Sequence, residues 1–379
     1  MGAKAEVRVR VSRSVVGDAE IDAVTAVLKR GFLGMGSEVR AFEEELAQFI
    51  GSERTVVCVS NGTAALHAAL QASGVGPGDE VLLPTLTYIA SFQAVSGTGA
   101  TPVACDVNPH TCWMDVDDAA GRITPRTKAI MPVHYASGCG ELERIYALAQ
   151  EHGLRVIEDA AHAFGCRWQG QIVGSQGEMA CFSFDGIKNI TSGEGGAVVT
   201  GDPEIASRLQ DIRLLGVQRD TEQRFQGRRS WEFDVTEQGW RYHMSDIMAA
   251  IGRVQLRRFP EFADARVQLA QRYQQGLGHC PGIQLLDIDY GPVVPHIFPI
   301  LVQDGKRDRL REALGERGIE TGIHYKPNHL LSKYGGGTVR LPGAEKVYQE
   351  LLTLPLHPLV TREQGDEICR QVMQYMETE

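Results

Sequence analysis

Short apolar, β-branched segments alternate with helix-forming stretches through most of the N-terminal half of the chain, and this alternation limits the folds open to it. Short apolar strands separated by helices are typical of a largely parallel sheet with helices on both faces. Such a sheet binds its ligands at the carboxyl ends of the strands. The segments predicted as strands are TVVCVS (55–60), EVLLPT (80–85), TPVACDV (101–107), KAIMPVH (128–134), LRVIEDAA (154–161), MACFSFD (179–185) and GGAVVTGD (195–202).

The pattern changes near Pro292, and we expect a second domain there. VVPHIFPILV (293–302) and IETGIHY (319–325) have strand character, whereas KRDRLREALGERG (306–318) and the last segment have helical spacing. The sequence therefore predicts a large α/β domain over residues 1–260. A linking helix and a smaller α+β domain are predicted over residues 261–379.

Composition excludes several classes of function. Asp plus Glu outnumber Lys plus Arg by 48 to 38, which disfavours nucleic acid as a partner. The eight cysteines form no CxxC pair, so we expect buried free thiols in a reducing cytoplasm. The N-terminus lacks the apolar core of a signal peptide, and no apolar run approaches the roughly 20 residues that span a bilayer. We expect a cytoplasmic protein without membrane segments.

The segment SNGTAALHAAL is a candidate anion site. Gly62 and Thr63 lie where a predicted strand passes into a helix, whose first N–H groups lack intrahelical partners and suit a phosphate. Taken alone, Ser60 and Thr63 are more often simple helix caps.

Two further residues carry chemistry. Asp159 ends an apolar strand, and a carboxylate buried there needs either a cation or a role as a helix cap or arginine partner. Lys188 follows the strand ending at Ser183 and precedes glycine turns that let the backbone approach a ligand. A phosphate-type turn, a carboxylate and a lysine in this order predict a pyridoxal 5'-phosphate (PLP) site.

The motifs also resemble one family along nearly the whole chain. They include SNGTAALHAAL, PTLTYIASFQAV, VIEDAAHAFG, FSFDGIKNITSGEGGAVVT, YHMSDIMAAIGRVQL, RGIETGIHYKPNHL and LPLHPLVT. In this order they resemble the DegT/DnrJ/EryC1/StrS sugar aminotransferases, which are PLP enzymes of fold type I. The resemblance implies a mostly parallel mixed sheet in the large domain and a homodimer with shared active sites.

The resemblance assigns roles to particular residues. Lys188 matches the Schiff-base lysine that also shuttles the proton, and Asp159 matches the carboxylate that faces the pyridine nitrogen. His162 matches a position beside the cofactor ring, although a core histidine is the alternative. Tyr88 matches an aromatic residue that stacks on that ring. The implied phosphate ligands are Gly62, Thr63 and Ser183.

Some positions depart from the family pattern. Arg241 replaces an Asn that commonly reaches the phosphate of the neighbouring subunit's cofactor, and a guanidinium can bind that phosphate as well. Asp185 replaces an aromatic residue or histidine near the sugar. A C-terminal segment resembles the substrate entrance and supplies His324, Tyr325, Lys326 and His329. Their spacing lacks the helical i, i+4 geometry of a zinc pair, so no metal is expected.

The resemblance implies an amino transfer in amino-sugar, polysaccharide or O-antigen biosynthesis. Glutamate would convert PLP to pyridoxamine 5'-phosphate, and the amine would pass to a nucleotide-linked keto (deoxy)sugar, with a 4-keto group favoured over a 3-keto group. A keto-cyclitol acceptor and a noncatalytic sugar-nucleotide-binding regulator are the alternatives. A sugar dehydratase is disfavoured because Lys188 is present, whereas the dehydrating relatives carry histidine there.

Overall fold

The computed structural model describes residues 8–51, 53–218 and 220–378. Twelve strands are formed in this part of the chain. They are β1 (Thr55–Val59), β2 (Glu80–Pro84), β3 (Thr101–Cys105), β4 (Thr127–Ile130), β5 (Arg155–Asp159), β6 (Arg167–Trp168), β7 (Gln171–Ile172), β8 (Met179–Ser183), β9 (Gly196–Thr200), β10 (Ile283–Leu285), β11 (Phe298–Val302) and β12 (Leu351–Leu354).

The same residues form twelve α-helices. They are α1 (Asp18–Arg30), α2 (Ser37–Ile50), α3 (Gly62–Ala72), α4 (Ile89–Gly97), α5 (Val116–Gly121), α6 (Leu142–His152), α7 (Pro203–Ile212), α8 (Asp220–Phe225), α9 (Asp246–Leu277), α10 (Arg307–Glu316), α11 (Pro342–Glu350) and α12 (Arg362–Thr378). None of these helices is long and apolar enough to cross a membrane.

Seven strands form one sheet in the order β1-β9-β8-β5-β4-β2-β3. The pairs from β8 to β3 are parallel, whereas β9 is antiparallel to both of its neighbours. No crossover helix joins β8 to β9, and an antiparallel pair needs none. The mostly parallel mixed sheet with flanking helices confirms the predicted α/β fold class.

Helix α3 packs on two adjacent strands of the large sheet. Its alanine- and leucine-rich sequence is buried on nearly every side, because it packs against β8 and β9 as well as α4 and α7. Asn61 caps its first turn, since the Asn61 side chain accepts a hydrogen bond of 2.8 Å from the Ala64 N–H. Asn61 is therefore the N-cap residue of α3. The alternative interpretation, in which Ser60 or Thr63 caps the helix, is wrong.

Helix α9 connects the two parts of the chain. It packs against α1 and α2 beside the large sheet and against α12 near the second, antiparallel sheet β10-β11-β12. The predicted domain division at residue 260 falls inside this continuous helix, so the position of the boundary stays a prediction. All eight cysteines are free thiols, and only Cys139 is partly exposed.

We expect Phe42→Ala to lower the free energy of unfolding by about 3–5 kcal/mol. The Phe42 ring is fully buried and lies 5.4 Å, centroid to centroid, from Phe184, which follows β8. Urea denaturation of both proteins measures the difference. Phe32→Ala is the control: because Phe32 is 41% exposed, its loss should be about 1 kcal/mol or less. Equal losses in the two variants would contradict the assigned packing.

Candidate active site

A cavity of about 820 Å³ opens where β5 and β8 end and α3 begins. This is the edge at which the sequence predicted a ligand, because the carboxyl ends of parallel strands meet there. Ten of the predicted site residues line it. They are Gly62, Thr63, Tyr88, Asp159, His162, Ser183, Asp185, Lys188, His324 and Tyr325.

Asp159 lies at the floor of the cavity and is buried. The Ser91 hydroxyl donates a hydrogen bond of 2.7 Å to Oδ2, and the Ala161 N–H donates one of 3.2 Å to Oδ1. Burial raises the pKa of this carboxyl, although both hydrogen bonds oppose the rise. No Arg or Lys forms an ion pair with Asp159 among the described residues, so the charged form needs a cation within the cavity.

Lys188 faces the same cavity from the loop after β8. Burial lowers the pKa of its amine to about 8, while the carboxylates of Asp159 and Asp185 oppose that change. Its Nζ atom lies 3.5 Å from Nε2 of His296. A lysine with this pKa has a substantial uncharged fraction near neutral pH and can act as a nucleophile.

His162 lies beside these two residues. Its Nε2 atom is 3.1 Å from the Tyr325 hydroxyl, and its ring centroid is 4.5 Å from that of His296. Burial holds the pKa of His162 well below its usual value, and the charge of Lys188 lowers it further. The imidazole is therefore neutral at physiological pH and can accept or donate one hydrogen bond at each nitrogen.

The first turn of α3 forms a shallow cradle against β8. A side-chain carbon at Gly62 would lie 2.8 Å from Cβ of Ser183, so glycine is required for the close approach of helix and strand. Thr63 and the Ser183 hydroxyl border the same space. N–H groups at a helix start together with two hydroxyls are donors that suit a phosphate.

Tyr88 forms part of the cavity wall and keeps its ring free. The ring is 58% exposed and its centroid lies 5.5 Å from that of Tyr325. The open face is available for stacking on a planar ligand.

Three predicted residues do not line the cavity. Arg241 and Lys326 are exposed and lie outside the lining. His329 is fully buried, with Nδ1 2.8 Å from the Thr85 hydroxyl and Nε2 3.6 Å from the Glu345 carboxylate. The expectation that His329 borders the substrate entrance is corrected by this placement, because its ring is held inside the fold by those two partners.

The sequence prediction missed several residues of the site. Glu194 and Tyr242 line the cavity, Ser91 binds Asp159, and His296 contacts Lys188. Ser91 and Glu194 lie within motifs that carry the family resemblance and could have been found there. His296 precedes a strand of the second sheet, and no local pattern places it beside Lys188.

Comparison with known proteins identifies the relatives of this chain. Residues 15–373 match the model of the DegT/DnrJ/EryC1/StrS aminotransferase family. The chain belongs to this family. It is 35% identical to the spore coat polysaccharide biosynthesis protein SpsC of Bacillus subtilis over 371 residues, 95% of each chain. It is an enzyme, and members of the family are PLP-dependent aminotransferases.

Solved structures of the family agree with the fold. DesV of S. venezuelae, solved in complex with a ketimine intermediate, superposes with a TM-score of 0.86 at 36% identity, covering 95% of each chain. Spr1654 of Streptococcus pneumoniae, solved in a PLP form, superposes with a TM-score of 0.90 at 29% identity, covering 97% of this chain and 98% of that one. The cofactor of this family fits the donors described above, since the cradle at Gly62, the unpaired carboxyl of Asp159 and the amine of Lys188 border one cavity.

We expect Gly62→Ala to weaken PLP binding about tenfold, equivalent to about 1.4 kcal/mol, because the added methyl group would push α3 away from Ser183. Titration of the protein freed of cofactor, followed by absorbance, measures the dissociation constant. Gly76→Ala is the matched control, since a side-chain carbon there meets no atom within 4 Å. An unchanged dissociation constant in a folded Gly62→Ala protein would show that phosphate does not bind at this turn.

Proposed function

We propose that this aminotransferase moves the amino group of glutamate onto a nucleotide-linked keto (deoxy)sugar, preferentially at a 4-keto carbon, in amino-sugar or polysaccharide biosynthesis. The observation that carries the proposal is that Lys188 and Asp159 border one cavity, where burial lowers the pKa of the Lys188 amine to about 8 and raises that of the Asp159 carboxyl. The name of SpsC refers to polysaccharide biosynthesis, and Spr1654 is described as a putative sugar aminotransferase. Both descriptions support a sugar acceptor.

In this proposal each residue of the cavity floor has a defined task. Lys188 binds the cofactor aldehyde through Nζ, and Asp159 holds the proton on the pyridine nitrogen. PLP, when bound, supplies the electron sink for the reaction. Once the donor amine has replaced Lys188 on the cofactor aldehyde, the released Nζ amine would carry the proton from Cα of the donor to the cofactor. His162 orients the cofactor through a neutral ring nitrogen, and Tyr88 covers the ring face.

The acceptor side of the cavity has the character of a sugar site. Asp185, Glu194 and the Tyr325 hydroxyl offer acceptors and a donor to the hydroxyl groups of a sugar. Burial and the neighbouring Asp185 raise the pKa of Glu194. His324 completes this wall, and burial lowers its pKa to about 4, so it serves as a neutral hydrogen-bonding group.

The cavity lacks positive charge for the anions it must hold. Lys188 is the only Lys or Arg among the described lining residues, yet the cofactor phosphate, glutamate and a nucleotide diphosphate are all anions. We propose that the chain is a homodimer and that the partner's Arg241 supplies a cation to the phosphate. The segment before Arg241 exposes Trp231, Phe233 and Val235, which supports a subunit contact on this side.

The cytoplasm is the proposed location of the reaction. Eight free thiols are typical of a reducing compartment, whereas secreted proteins usually pair their cysteines.

The first experiment is an absorbance spectrum of the protein with PLP, before and after glutamate, for wild type and Lys188→Ala. We expect wild type to show the lysine-bound cofactor band and to lose it when glutamate delivers its amine. Lys188→Ala should lack that band and its transamination rate should fall by at least about 1,000-fold, because the nucleophile and the proton carrier are one group.

The amine-loaded enzyme is then offered nucleotide-linked 4-keto and 3-keto sugars and a keto-cyclitol, and return of the lysine-bound band reports amine transfer. Fastest return with the 4-keto sugar supports the proposal. Fastest return with the keto-cyclitol would replace the proposed acceptor, and a spectrum indifferent to Lys188 would overturn the proposed catalytic role.

Mixed dimers test whether Arg241 acts across the subunit interface. We expect Lys188→Ala and Arg241→Met proteins to be weakly active alone and to regain activity when unfolded together and refolded as a mixture. In a mixed dimer one site combines an intact Lys188 with the partner's Arg241, so up to about half of the wild-type activity per mixed dimer returns. Mixtures that stay as weak as their components, or an active monomer in light scattering, would exclude a shared site.

A further inference from the structure

Arg266 is a buried cation behind the wall that carries Lys188. It lies in the middle of α9 with a side chain almost without solvent contact. Its Nη1 atom donates to the carbonyls of Leu356 at 3.1 Å and His296 at 3.2 Å, and more weakly to that of Pro295 at 3.4 Å. Its Nη2 atom lies 3.5 Å from the carbonyl of Lys188 itself.

No carboxylate pairs with Arg266 among the described residues, which distinguishes it from the other buried arginines. Arg213 forms an ion pair with Glu43, and Arg307 forms one with Asp308. A buried charge that is balanced only by carbonyl dipoles is costly. Burial lowers the pKa of Arg266 to about 10, so the guanidinium still carries its charge at neutral pH.

Two of the carbonyls near Arg266 belong to residues whose side chains approach each other, Lys188 and His296. His296 approaches Nζ of Lys188 at 3.5 Å, and its backbone N–H donates a hydrogen bond of 2.9 Å to the Ser137 hydroxyl. Arg266 therefore joins the main chain of the lysine loop to the segment before β11.

The charges around the Lys188 amine act in opposite directions. Asp159 and Asp185 favour the ammonium form, whereas burial and the charge of Arg266 disfavour it. The three histidines near it have lowered pKa values and add no charge at neutral pH. They are His162, His296 and His324.

We propose that Arg266 is a positioning residue for Lys188, which holds the Lys188 and His296 backbones by their carbonyls and places its cation behind the loop that carries the lysine amine. The proposal rests on the proposed role of Lys188 as the residue that binds the cofactor. Under this proposal the role of Lys188 depends on Arg266, a residue of another helix that lies outside the cavity.

Two substitutions separate the charge from the hydrogen bonds. Arg266→Gln keeps N–H donors and removes the charge, whereas Arg266→Lys keeps the charge and removes most of the donors. The measurement is competitive acetylation of the full-length protein freed of cofactor, across a pH series, with Lys188 quantified by peptide mass spectrometry. Thermal melting of each variant reports whether it is folded.

In wild type we expect the reactivity of Lys188 to rise with a midpoint near pH 8. In Arg266→Gln the midpoint should move upward, because a like charge is removed, and reactivity at neutral pH should fall by about threefold or more. Arg266→Lys should keep the wild-type midpoint while taking up PLP more slowly, since its amine cannot hold the carbonyls of both segments.

Arg307→Gln is the matched control, because Arg307 is also buried and binds the carbonyls of Tyr348 and Leu351. In Arg307→Gln the pH midpoint of Lys188 acetylation should equal that of wild type. An unchanged midpoint in folded Arg266→Gln, an equal shift in Arg307→Gln, or a raised midpoint in Arg266→Lys would overturn the proposal. If Arg266→Gln does not fold, Arg266→Lys still tests the proposal. Failure of the proposed function would be seen separately, as PLP chemistry that persists in Lys188→Ala.

Discussion

Burial of Lys188 and Asp159 at one sheet edge is the constraint on which the rest of the site depends. The parallel pairing of β5 with β8 places Asp159 opposite Cys181, so β8 ends two residues beyond that pair and the loop that carries Lys188 follows. Burial moves the pKa of the carboxyl up and that of the amine down, which brings both groups toward their uncharged forms. A protonated ring nitrogen next to Asp159 would favour the carboxylate form and offset the cost of its desolvation.

Ser137 links the cavity to both parts of the chain. It lies in a short 3₁₀ turn between β4 and α6 and has φ 74°, a left-handed conformation that is uncommon for a residue other than glycine. Its hydroxyl donates to the carbonyl of His162 and accepts from the N–H of His296. One buried hydroxyl thus sets the backbones that carry two of the histidines, and the strained turn is retained where this contact requires it.

Local sequence patterns predicted the parts of the site that lie at strand ends and in the turns after them. The strand ends at Asp159 and Ser183, the loop position of Lys188 and the glycine at residue 62 all follow from apolar runs and the turns after them. His296 and Arg266 could not be predicted in this way, because 108 residues separate Lys188 from His296 and only the packed fold brings them together. His329 shows the opposite error, since a polar residue within a recognised motif turned inward to bind Thr85.

The charges around the cavity favour a contribution from a second subunit. The lining histidines His162 and His324, and His296 behind them, have lowered pKa values and provide no cation at neutral pH. Arg266 is charged, but its donors are directed to carbonyls and do not reach a ligand. The described lining contains one lysine and three carboxylates. In the proposed homodimer, the exposed segment that ends at Arg241 would add positive charge to this cavity.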